Sequence, residues 1–156
     1  MKIAFIGCGN MAQSLIGGMI ANGLAADSIV VADPFEAATS AAAEKWGVSV
    51  ADNNTAALKH ADTAVLAVKP QKMKAVLSDV NDDLDSQLLI SIAAGIRIQD
   101  MMNWAGADNN SIAVVRCMPN TPALLQCGAT GLFADPRVTS APVSYTHLTL
   151  PTIYSV

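Results

Sequence analysis

The stretch from residue 6 to residue 12, Ile-Gly-Cys-Gly-Asn-Met-Ala, has the glycine spacing of a phosphate-binding turn. It lies between a short apolar run and a helical pattern. Gly7 permits a tight turn, Gly9 lets a pyrophosphate approach the backbone, and Ala12 lets the helix pack closely on the strand. The free N–H groups and the positive dipole end of the helix that begins near Asn10 then face the phosphates. Alternatively, the stretch is a glycine-rich turn that binds no ligand.

Asp33 is a second candidate for cofactor binding. It follows the apolar run Ser-Ile-Val-Val-Ala and lies about 20 residues after the glycine turn, where an acidic residue accepts hydrogen bonds from the adenine-side ribose of a dinucleotide. A carboxylate there favours NAD and repels the 2′-phosphate of NADP, and the next residues, Pro34, Phe35 and Glu36, bring no cation for that phosphate. The alternative is that Asp33 only caps the next helix. The sequence favours NAD without excluding NADP.

Two further stretches place polar groups at the ends of predicted strands. In Ala67-Val68-Lys69-Pro70, the lysine either reaches a phosphate or ribose or is a solvated side chain before a helix. From 118 to 123, Met-Pro-Asn-Thr-Pro-Ala, two prolines restrict a short loop that carries Asn120 and Thr121. That loop either positions a small polar substrate or is an ordinary proline-braced turn. Arg116, just before it, is expected to donate to backbone carbonyls rather than to bind substrate.

The composition excludes several classes of function. The 156 residues carry a net charge of −4 and no basic cluster, which argues against nucleic acid as a partner. The longest apolar runs have the length of a strand, and the first breaks into the glycine turn, so we predict neither a membrane span nor a secretory signal. Three cysteines (Cys8, Cys117 and Cys127) lack the spacing of a zinc site or disulfide framework and indicate a reducing cytoplasm. We predict no metal site, and His60 is expected to face solvent.

The elements that must position these candidates alternate between strand and helix. The residues are 52% hydrophobic, mostly aliphatic, which favours a parallel sheet buried on both faces. The pattern predicts a doubly wound, mostly parallel α/β sheet with helices on both faces, a strand at 111–115 and a last β segment at 129–133. Ligands bind such sheets at the carboxyl ends of the strands. The candidate residues that fall just past predicted strand ends are Gly7, Asp33, Lys69, Gly95 and Asn120.

Four stretches, in this order and spacing, resemble pyrroline-5-carboxylate reductase: 6–12, 67–70, 91–95 (Ser-Ile-Ala-Ala-Gly) and 116–123 (Arg-Cys-Met-Pro-Asn-Thr-Pro-Ala). The proline-braced block is the most specific of them and the glycine turn the least. The resemblance covers residues 1–142 and implies a Rossmann domain that binds NADPH or NADH. It also implies reduction of 1-pyrroline-5-carboxylate to L-proline, the last step of proline biosynthesis.

The resemblance also implies roles for particular residues. The glycine turn would hold the pyrophosphate, Asn54 and 67–70 would line the ribose and nicotinamide side, and 93–95 would pack beside the nicotinamide. The cofactor supplies the hydride and a protonated C=N carbon is already electrophilic, so no catalytic residue is assigned. The predicted cofactor-binding residues are Gly7, Cys8, Gly9, Asn10, Met11, Asp33, Asn54, Ala67, Val68, Lys69, Pro70, Ala93, Ala94 and Gly95. The predicted substrate-pocket residues are Met118, Pro119, Asn120 and Thr121.

The chain departs from this family at its end. The family continues for as long again into a helical domain that dimerises and binds substrate, and that domain is absent from this sequence. Residues 143–156 switch abruptly to Ser, Thr, Tyr and Pro, and 143–152 resemble a translated sequencing adapter. We therefore assign 1–142 to a dinucleotide-binding domain and leave 143–156 out of the fold as a non-native tail. We expect weak dinucleotide binding, no proline formation by this chain alone, and an exposed apolar edge where the missing domain would pack.

Two other functions stay open. The first is another NAD(P)-dependent reductase of the same superfamily, acting on a hydroxy acid or a flavin-like cofactor, which predicts a different loop in place of 119–122. The second is a dinucleotide-binding module without catalysis. The parent enzyme is expected to be a homo-oligomer through the missing domain.

Overall fold

The computed structural model describes residues 1–59, 61–85, 87–106, 112–119, 130–136, 138 and 153–155. His60, Asn120 and Thr121 lie outside these residues. The strands are β1 (Ile3–Ile6), β2 (Ile29–Ala32), β3 (Ser49–Val50), β4 (Thr63–Leu66), β5 (Leu88–Ser91), β6 (Ala113–Pro119), β7 (Thr130–Ala134) and β8 (Ile153–Ser155). The helices are α1 (Asn10–Ala21), α2 (Glu36–Trp46), α3 (Asn54–Leu58), α4 (Pro70–Asp79) and α5 (Ile98–Trp104), with short 3₁₀ turns at Ala26–Ser28 and Asn81–Asp83.

The strands form one sheet of eight in the order β3-β2-β1-β4-β5-β6-β7-β8. The pairings from β3 through β6 are parallel, β7 is antiparallel to β6, and β8 is parallel to β7. The strand order reverses between β1 and β4, which is the place where such sheets open a ligand crevice at their carboxyl ends. The predicted doubly wound, mostly parallel sheet is confirmed.

The central strands are apolar because both of their faces are covered. All four residues of β1 and all four of β4 are buried. Ile6 and Leu66 belong to a core layer shared with α3, α4 and α5, whereas Phe5 and Val65 belong to a layer shared with α1 and α2. The near-continuous hydrophobic runs therefore match a parallel sheet between two helical layers, as the composition predicts.

The helix boundaries follow local chemistry. The Asn53 side chain accepts a hydrogen bond from the Ala56 N–H and begins α3, and Pro70 occupies the first turn of α4. α2 ends at Gly47, whose φ of +71° favours glycine. The inner face of α1 is buried at Ala12, Leu15, Ile16 and Met19 and partly buried at Ile20. No helix in the described part of the chain is long and apolar enough to cross a membrane.

β6 differs from its prediction. The sequence predicts a strand at 111–115 followed by a loop, but the strand continues to Pro119. The reason is β7, which pairs antiparallel with the second half of β6, from Val115 opposite Ala134 to Pro119 opposite Thr130. The placement of Met118 and Pro119 in a proline-braced loop is therefore wrong, and both residues belong to a strand. Pro119 lies past Arg116, where the pairing with β5 ends, so β6 is an edge on that side and proline is tolerated there.

β8 lies within the segment 143–156 that the sequence analysis leaves out of the fold. Its backbone pairs with β7, with Ile153 opposite Thr130 and Ser155 opposite Leu132. Leaving 153–155 out of the sheet is therefore wrong, because the open edge of β7 presents unpaired N–H and C=O groups to an extended segment. The assignment of 143–156 to a non-native tail, and of 1–142 to one domain, stays a prediction.

Candidate functional site

Gly7 forms the tight turn that leads out of β1. Its φ is +97°, and its N–H donates to the Ala32 carbonyl at 2.8 Å. A Cβ at Gly7 would lie 2.6 Å from the carbonyl oxygen of Ala67 and 2.9 Å from its carbonyl carbon. Glycine is therefore required where the end of β1 passes the end of β4, whether or not a ligand binds.

Gly9, the N-cap of α1, has the opposite environment. Its φ of −72° and ψ of −176° suit any residue, and a Cβ there would have no neighbour within 4 Å. α1 has no side-chain cap, so its first N–H groups, on Asn10 and Met11, are left to other acceptors. Protein packing gives no reason for a glycine at position 9, whereas an anion held against the helix N-terminus does. The open space at Gly9 therefore fits the pyrophosphate of a dinucleotide.

Asp33 connects the end of β2 to the glycine turn. One carboxylate oxygen accepts the Cys8 N–H at 2.7 Å, and the other accepts the Phe35 N–H at 2.8 Å. The N-cap of α2 is Phe35, and no side chain caps this helix, so the alternative that Asp33 only caps the next helix is wrong. Each oxygen keeps a second lone pair, which leaves the carboxylate able to accept a ribose hydroxyl as well.

Cys8, in the middle of the glycine turn, is held by hydrogen bonds to other parts of the protein. Its N–H donates to Asp33, its thiol donates to the Ala38 carbonyl at 3.5 Å, and its carbonyl accepts the Gln13 amide at 3.2 Å. Burial, and secondly the carboxylate of Asp33, raise the pKa of the Cys8 thiol. All polar groups of Cys8 thus have partners within the protein, and its direct contact with a cofactor stays a prediction.

A cavity of about 600 Å³ opens at the carboxyl ends of β1, β2 and β4. Small-molecule sites commonly have about 300–1,000 Å³. Half of the predicted cofactor-binding residues line it: Gly7, Gly9, Asp33, Asn54, Ala67, Val68 and Lys69. The crevice thus brings together residues that are as far apart in the chain as Gly7 and Lys69, 62 positions.

The cavity also contains three charged residues that the sequence analysis missed, Asp52, Lys72 and Asp79. Lys72 lies three residues after Lys69 on one helical face, so the helix period was a usable signal for it. Asp52 precedes α3 and Asp79 is the last residue of α4, so the fold brings both to the cavity and no local pattern marks them. Among the described residues, no cluster of His, Cys, Asp and Glu is arranged to hold a metal ion.

The remaining predicted cofactor residues do not line this cavity. Asn10 borders a separate hollow of about 410 Å³ between α1 and α2, Met11 is half-buried, and Pro70 is exposed. After β5, Ala93 is buried, whereas Ala94 and Gly95 are exposed and Gly95 has a φ of +76°. The pairing of Ser91 with Leu66 brings the end of β5, and so residues 93–95, beside the end of β4.

The last predicted group projects beyond the end of β5. Ser91, the last residue of β5, pairs with Arg116, so Met118 and Pro119 extend β6 past the end of β5 and pair with β7 alone. The side chain of Met118 is 45% exposed. The Nε of Arg116 is buried and has no hydrogen-bond partner among the described residues, so the expected bond to a backbone carbonyl is not found.

Comparisons with known proteins agree on a group of relatives. Residues 2–95 match the family described as NADP oxidoreductase, coenzyme F420-dependent. The chain is 47% identical over 141 residues to the pyrroline-5-carboxylate reductase of Pseudomonas aeruginosa, covering 90% of this chain and 50% of the relative. It is 36% identical over 140 residues to that of Escherichia coli, covering 88% and 51%. The chain spans about half the length of the curated relatives it matches.

Solved structures give the same result. A pyrroline-5-carboxylate reductase from Coxiella burnetii superposes with a TM-score of 0.93 at 34% identity, over 99% of this chain and 58% of that one. The Plasmodium falciparum pyrroline carboxylate reductase with NADP bound superposes with a TM-score of 0.86 at 26% identity, over 100% of this chain and 57% of that one.

Proposed function

This chain belongs to the family described as NADP oxidoreductase, coenzyme F420-dependent, and we propose that it is the dinucleotide-binding half of a pyrroline-5-carboxylate reductase. The whole protein reduces 1-pyrroline-5-carboxylate to L-proline with NADPH or NADH, the last step of proline biosynthesis. One observation carries the proposal: Gly9 is open at the N-terminus of α1 and lines a cavity together with six other predicted cofactor residues. The names of the curated relatives support the choice of substrate.

Within this proposal the residues divide by position. Gly7 and Gly9 shape the turn, and the N–H groups of Asn10 and Met11 hold the pyrophosphate. Asp33 accepts the adenine-side ribose hydroxyls with the lone pairs that Cys8 and Phe35 leave free. The lining of the ribose and nicotinamide side comes from Asn54, Ala67, Val68, Lys69 and Pro70, with Ala93, Ala94 and Gly95 beside the nicotinamide ring.

The substrate pocket of this half is formed by Met118 and Pro119 at the tip of β6, with Asn120 and Thr121 beyond the described residues. When bound, the dinucleotide supplies the hydride, so this half has to orient the reacting groups and exclude water. No proton donor is assigned to it. The whole protein is a cytoplasmic homo-oligomer that acts on a small molecule and uses neither nucleic acid nor a membrane.

A second candidate is another reductase of the same family, which its F420-related description supports. That match ends at residue 95, whereas identity to the pyrroline-5-carboxylate reductases extends over 141 residues and so reaches the Met118–Pro119 block. The longer match favours pyrroline-5-carboxylate. A dinucleotide-binding module without catalysis is the third candidate. Turnover of 1-pyrroline-5-carboxylate by the whole protein would exclude it.

Two measurements test the proposal. The first is titration of the 156-residue chain with NADH and NADPH, followed by cofactor fluorescence, for the wild type, Gly9→Ala and Gly18→Ala. Both glycines have open space at their Cβ positions, but only Gly9 faces the cavity, so only Gly9→Ala should weaken binding. Equal affinity of all three proteins for the cofactor would show that it does not bind at this turn.

The second measurement concerns the reaction. We continue the chain from residue 142 with the second half of the Pseudomonas aeruginosa relative and follow oxidation of NADH and NADPH on addition of 1-pyrroline-5-carboxylate. We expect proline formation by the continued chain and none by the 156 residues alone. Cofactor binding without oxidation by the continued chain would favour the second or third candidate.

A further inference from the structure

The cofactor cavity shares one wall with a second cavity. Residues 52–54 and Asp79 line the cavity of about 600 Å³ and also line another of about 790 Å³. A segment with open space against two of its sides has few packed neighbours, and close packing is what normally fixes a side chain in one position. Asn54, a predicted cofactor-binding residue, belongs to this segment. We call residues 52–54 the cavity wall.

The helix that follows the cavity wall is too short to hold it without help. α3 has five residues, and an isolated helix of that length is not stable in water. Its buried residues, Ala57 and Leu58, lie at its carboxyl end and belong to the core layer shared with α4. Residues 54–56, at its start, are only partly buried. Apolar packing therefore holds the end of α3 more firmly than its beginning.

A hydrogen bond between two side chains supplies a further attachment. The Thr55 hydroxyl donates to a carboxylate oxygen of Asp83 at 2.6 Å. Asp83 ends the 3₁₀ turn that follows α4. A hydroxyl that donates to a carboxylate makes a short, charge-assisted bond, roughly twice as strong as a bond between neutral groups. Among the described residues, it is the only hydrogen bond that joins 52–59 to 70–83.

This bond links the two sides of the cofactor cavity. On one side, Thr55 directly follows the cavity wall. On the other side, Asp83 lies four residues past the end of α4. α4 and its N-cap supply a row of lining residues to the same cavity, spaced as on one face of a helix: Lys69, Lys72, Val76 and Asp79. The distance between the cavity wall and α4 therefore depends on the bond between Thr55 and Asp83.

We propose that Thr55 and Asp83 are positioning residues for the dinucleotide, because their hydrogen bond holds the cavity wall, and with it Asn54, at the distance from α4 that the bound cofactor requires. This inference rests on the proposed function, since it takes the cavity to bind NADH or NADPH. Neither Thr55 nor Asp83 lines the cofactor cavity, so both act through the wall. A cavity that is already held at its bound width spares the ligand the cost of ordering it, which raises affinity.

The alternative is that the bond only stabilises the fold. Asn53 already caps α3 by accepting the Ala56 N–H at 2.8 Å, so Thr55 is not needed to begin the helix. Asp83 donates its own N–H to the Val80 carbonyl at 3.0 Å, so the turn after α4 is formed within its own backbone. The local structure on each side is complete without the bond. What the bond adds is the connection between the two sides of the cavity.

The test titrates the 156-residue chain and its variants with NADH, followed by cofactor fluorescence. Thr55→Val and Asp83→Ala each remove the bond, the double variant removes both partners, and Thr55→Ser keeps the hydroxyl. Asp62→Ala is the matched control. The Asp62 carboxylate also accepts one hydrogen bond from a distant part of the chain, the Lys2 N–H at 2.9 Å, but Asp62 precedes β4, at the edge of the sheet opposite the cavity. Circular dichroism checks that each variant is folded at the temperature of the titration.

Thr55→Val and Asp83→Ala should each bind NADH about three- to tenfold more weakly than the wild type, because the ligand must then order the wall. The double variant should bind no more weakly than the weaker single variant, since both substitutions remove the same bond. Thr55→Ser retains the hydroxyl donor and should bind within about twofold of the wild type. Asp62→Ala should keep the wild-type affinity even where its thermal unfolding midpoint falls. If Asp83→Ala fails to fold, Asp83→Asn, which keeps an acceptor oxygen, takes its place and should bind with intermediate affinity.

Wild-type affinity in both Thr55→Val and Asp83→Ala would overturn the proposal. Equal losses in Thr55→Val and Thr55→Ser, a loss in Asp62→Ala as large as that in Asp83→Ala, or additive losses in the double variant would do the same, because the bond would not be their cause. Failure of the proposed function has a different signature. The continued chain would bind NADH without oxidising it on addition of 1-pyrroline-5-carboxylate, while the differences among the variants persist. A wild type that binds neither NADH nor NADPH would overturn both.

Discussion

Gly7→Ala and Gly9→Ala add the same methyl group two residues apart and should have different consequences. The first should lower the stability of the fold, and the second should lower the affinity for the cofactor. At Gly7 the new Cβ would lie 2.6 Å from the Ala67 carbonyl oxygen, on a backbone with a φ of +97°. The Ala67 carbonyl belongs to the chain leaving β4 and cannot rotate away as a side chain can. Gly7→Ala should therefore damage the fold itself.

The cost of Gly7→Ala has two parts. An alanine at positive φ costs about 1–2 kcal/mol, and forcing an extra carbon into a filled space costs about 1–3 kcal/mol. The sum, about 2–5 kcal/mol, is a large share of the roughly 5–15 kcal/mol that stabilises a typical domain. At Gly9 the methyl group meets nothing within 4 Å. A less favourable N-cap is offset by the smaller entropy of the unfolded chain, so the free energy of unfolding should change by less than about 1 kcal/mol.

Urea unfolding followed by the fluorescence of Trp46 and Trp104 measures both effects. Gly7→Ala should lower the midpoint by about 1 M urea or more, whereas Gly9→Ala should leave it near that of the wild type. Titration with NADH then distinguishes a loss of cofactor affinity from a loss of stability. Gly9→Ala should bind NADH at least about tenfold more weakly than the wild type, a loss of about 1.4 kcal/mol in binding free energy. A Gly7→Ala protein as stable as the wild type, or a Gly9→Ala protein that loses stability but keeps its affinity, would refute the reasoning.

Three more predictions follow from the described contacts. Gly17→Ala would place a Cβ 2.6 Å from the Trp46 ring, whereas a Cβ at Gly18 would have no neighbour within 4 Å. In urea unfolding, Gly18→Ala should therefore be about 0.5–1 kcal/mol more stable than the wild type, and Gly17→Ala at least about 1 kcal/mol less stable than Gly18→Ala. Equal stability of the two variants would contradict the packing. Asp33→Asn retains one acceptor where two N–H groups donate, so the free energy of unfolding should fall by about 1–3 kcal/mol. Paired titrations with NADH and NADPH should show the ratio of their affinities shifted about fivefold towards NADPH. An unchanged affinity ratio would place the ribose away from Asp33. Burial raises the pKa of Cys117 to about 12 from 9.0, so the unfolded thiol ionises at lower pH than the native one and stability should fall as the pH rises above 9.0; a Cys117→Ser protein with the same slope would exclude this thiol as the cause.

The sequence was sufficient wherever local chemistry decides the structure. The predicted tight turn at Gly7 is confirmed. The cap at Asn53 and the start of α4 at Pro70 likewise follow from residue types at fixed offsets. The gathering of Gly7, Asp33 and Lys69 at one cavity was also predictable, because parallel strands end at the same edge of a sheet.

Tertiary contacts decided the features that the sequence did not predict. β6 extends to Pro119 because β7 pairs with it in antiparallel fashion, and no sequence pattern within 113–119 predicts that pairing. Asp52, before α3, and Asp79, at the end of α4, line the same cavity although 27 positions separate them in the chain. Arg116 was expected to donate to backbone carbonyls, but the acceptors around a side chain are set by tertiary packing, and its Nε has no partner among the described residues.

The hydrogen bond between Cys8 and Asp33 changes how the cofactor site should be weighed. In the sequence, the glycine turn and the acidic residue about 20 positions later count as two signals for a dinucleotide. In the structure Asp33 accepts the N–H of the turn, and Gly7 is required by the Ala67 carbonyl, so both residues also serve the fold. Gly9 is different, since neither its dihedral angles nor its neighbours demand a glycine. The independent support for a bound diphosphate therefore rests on Gly9, and this is why its substitution by alanine is the more informative experiment.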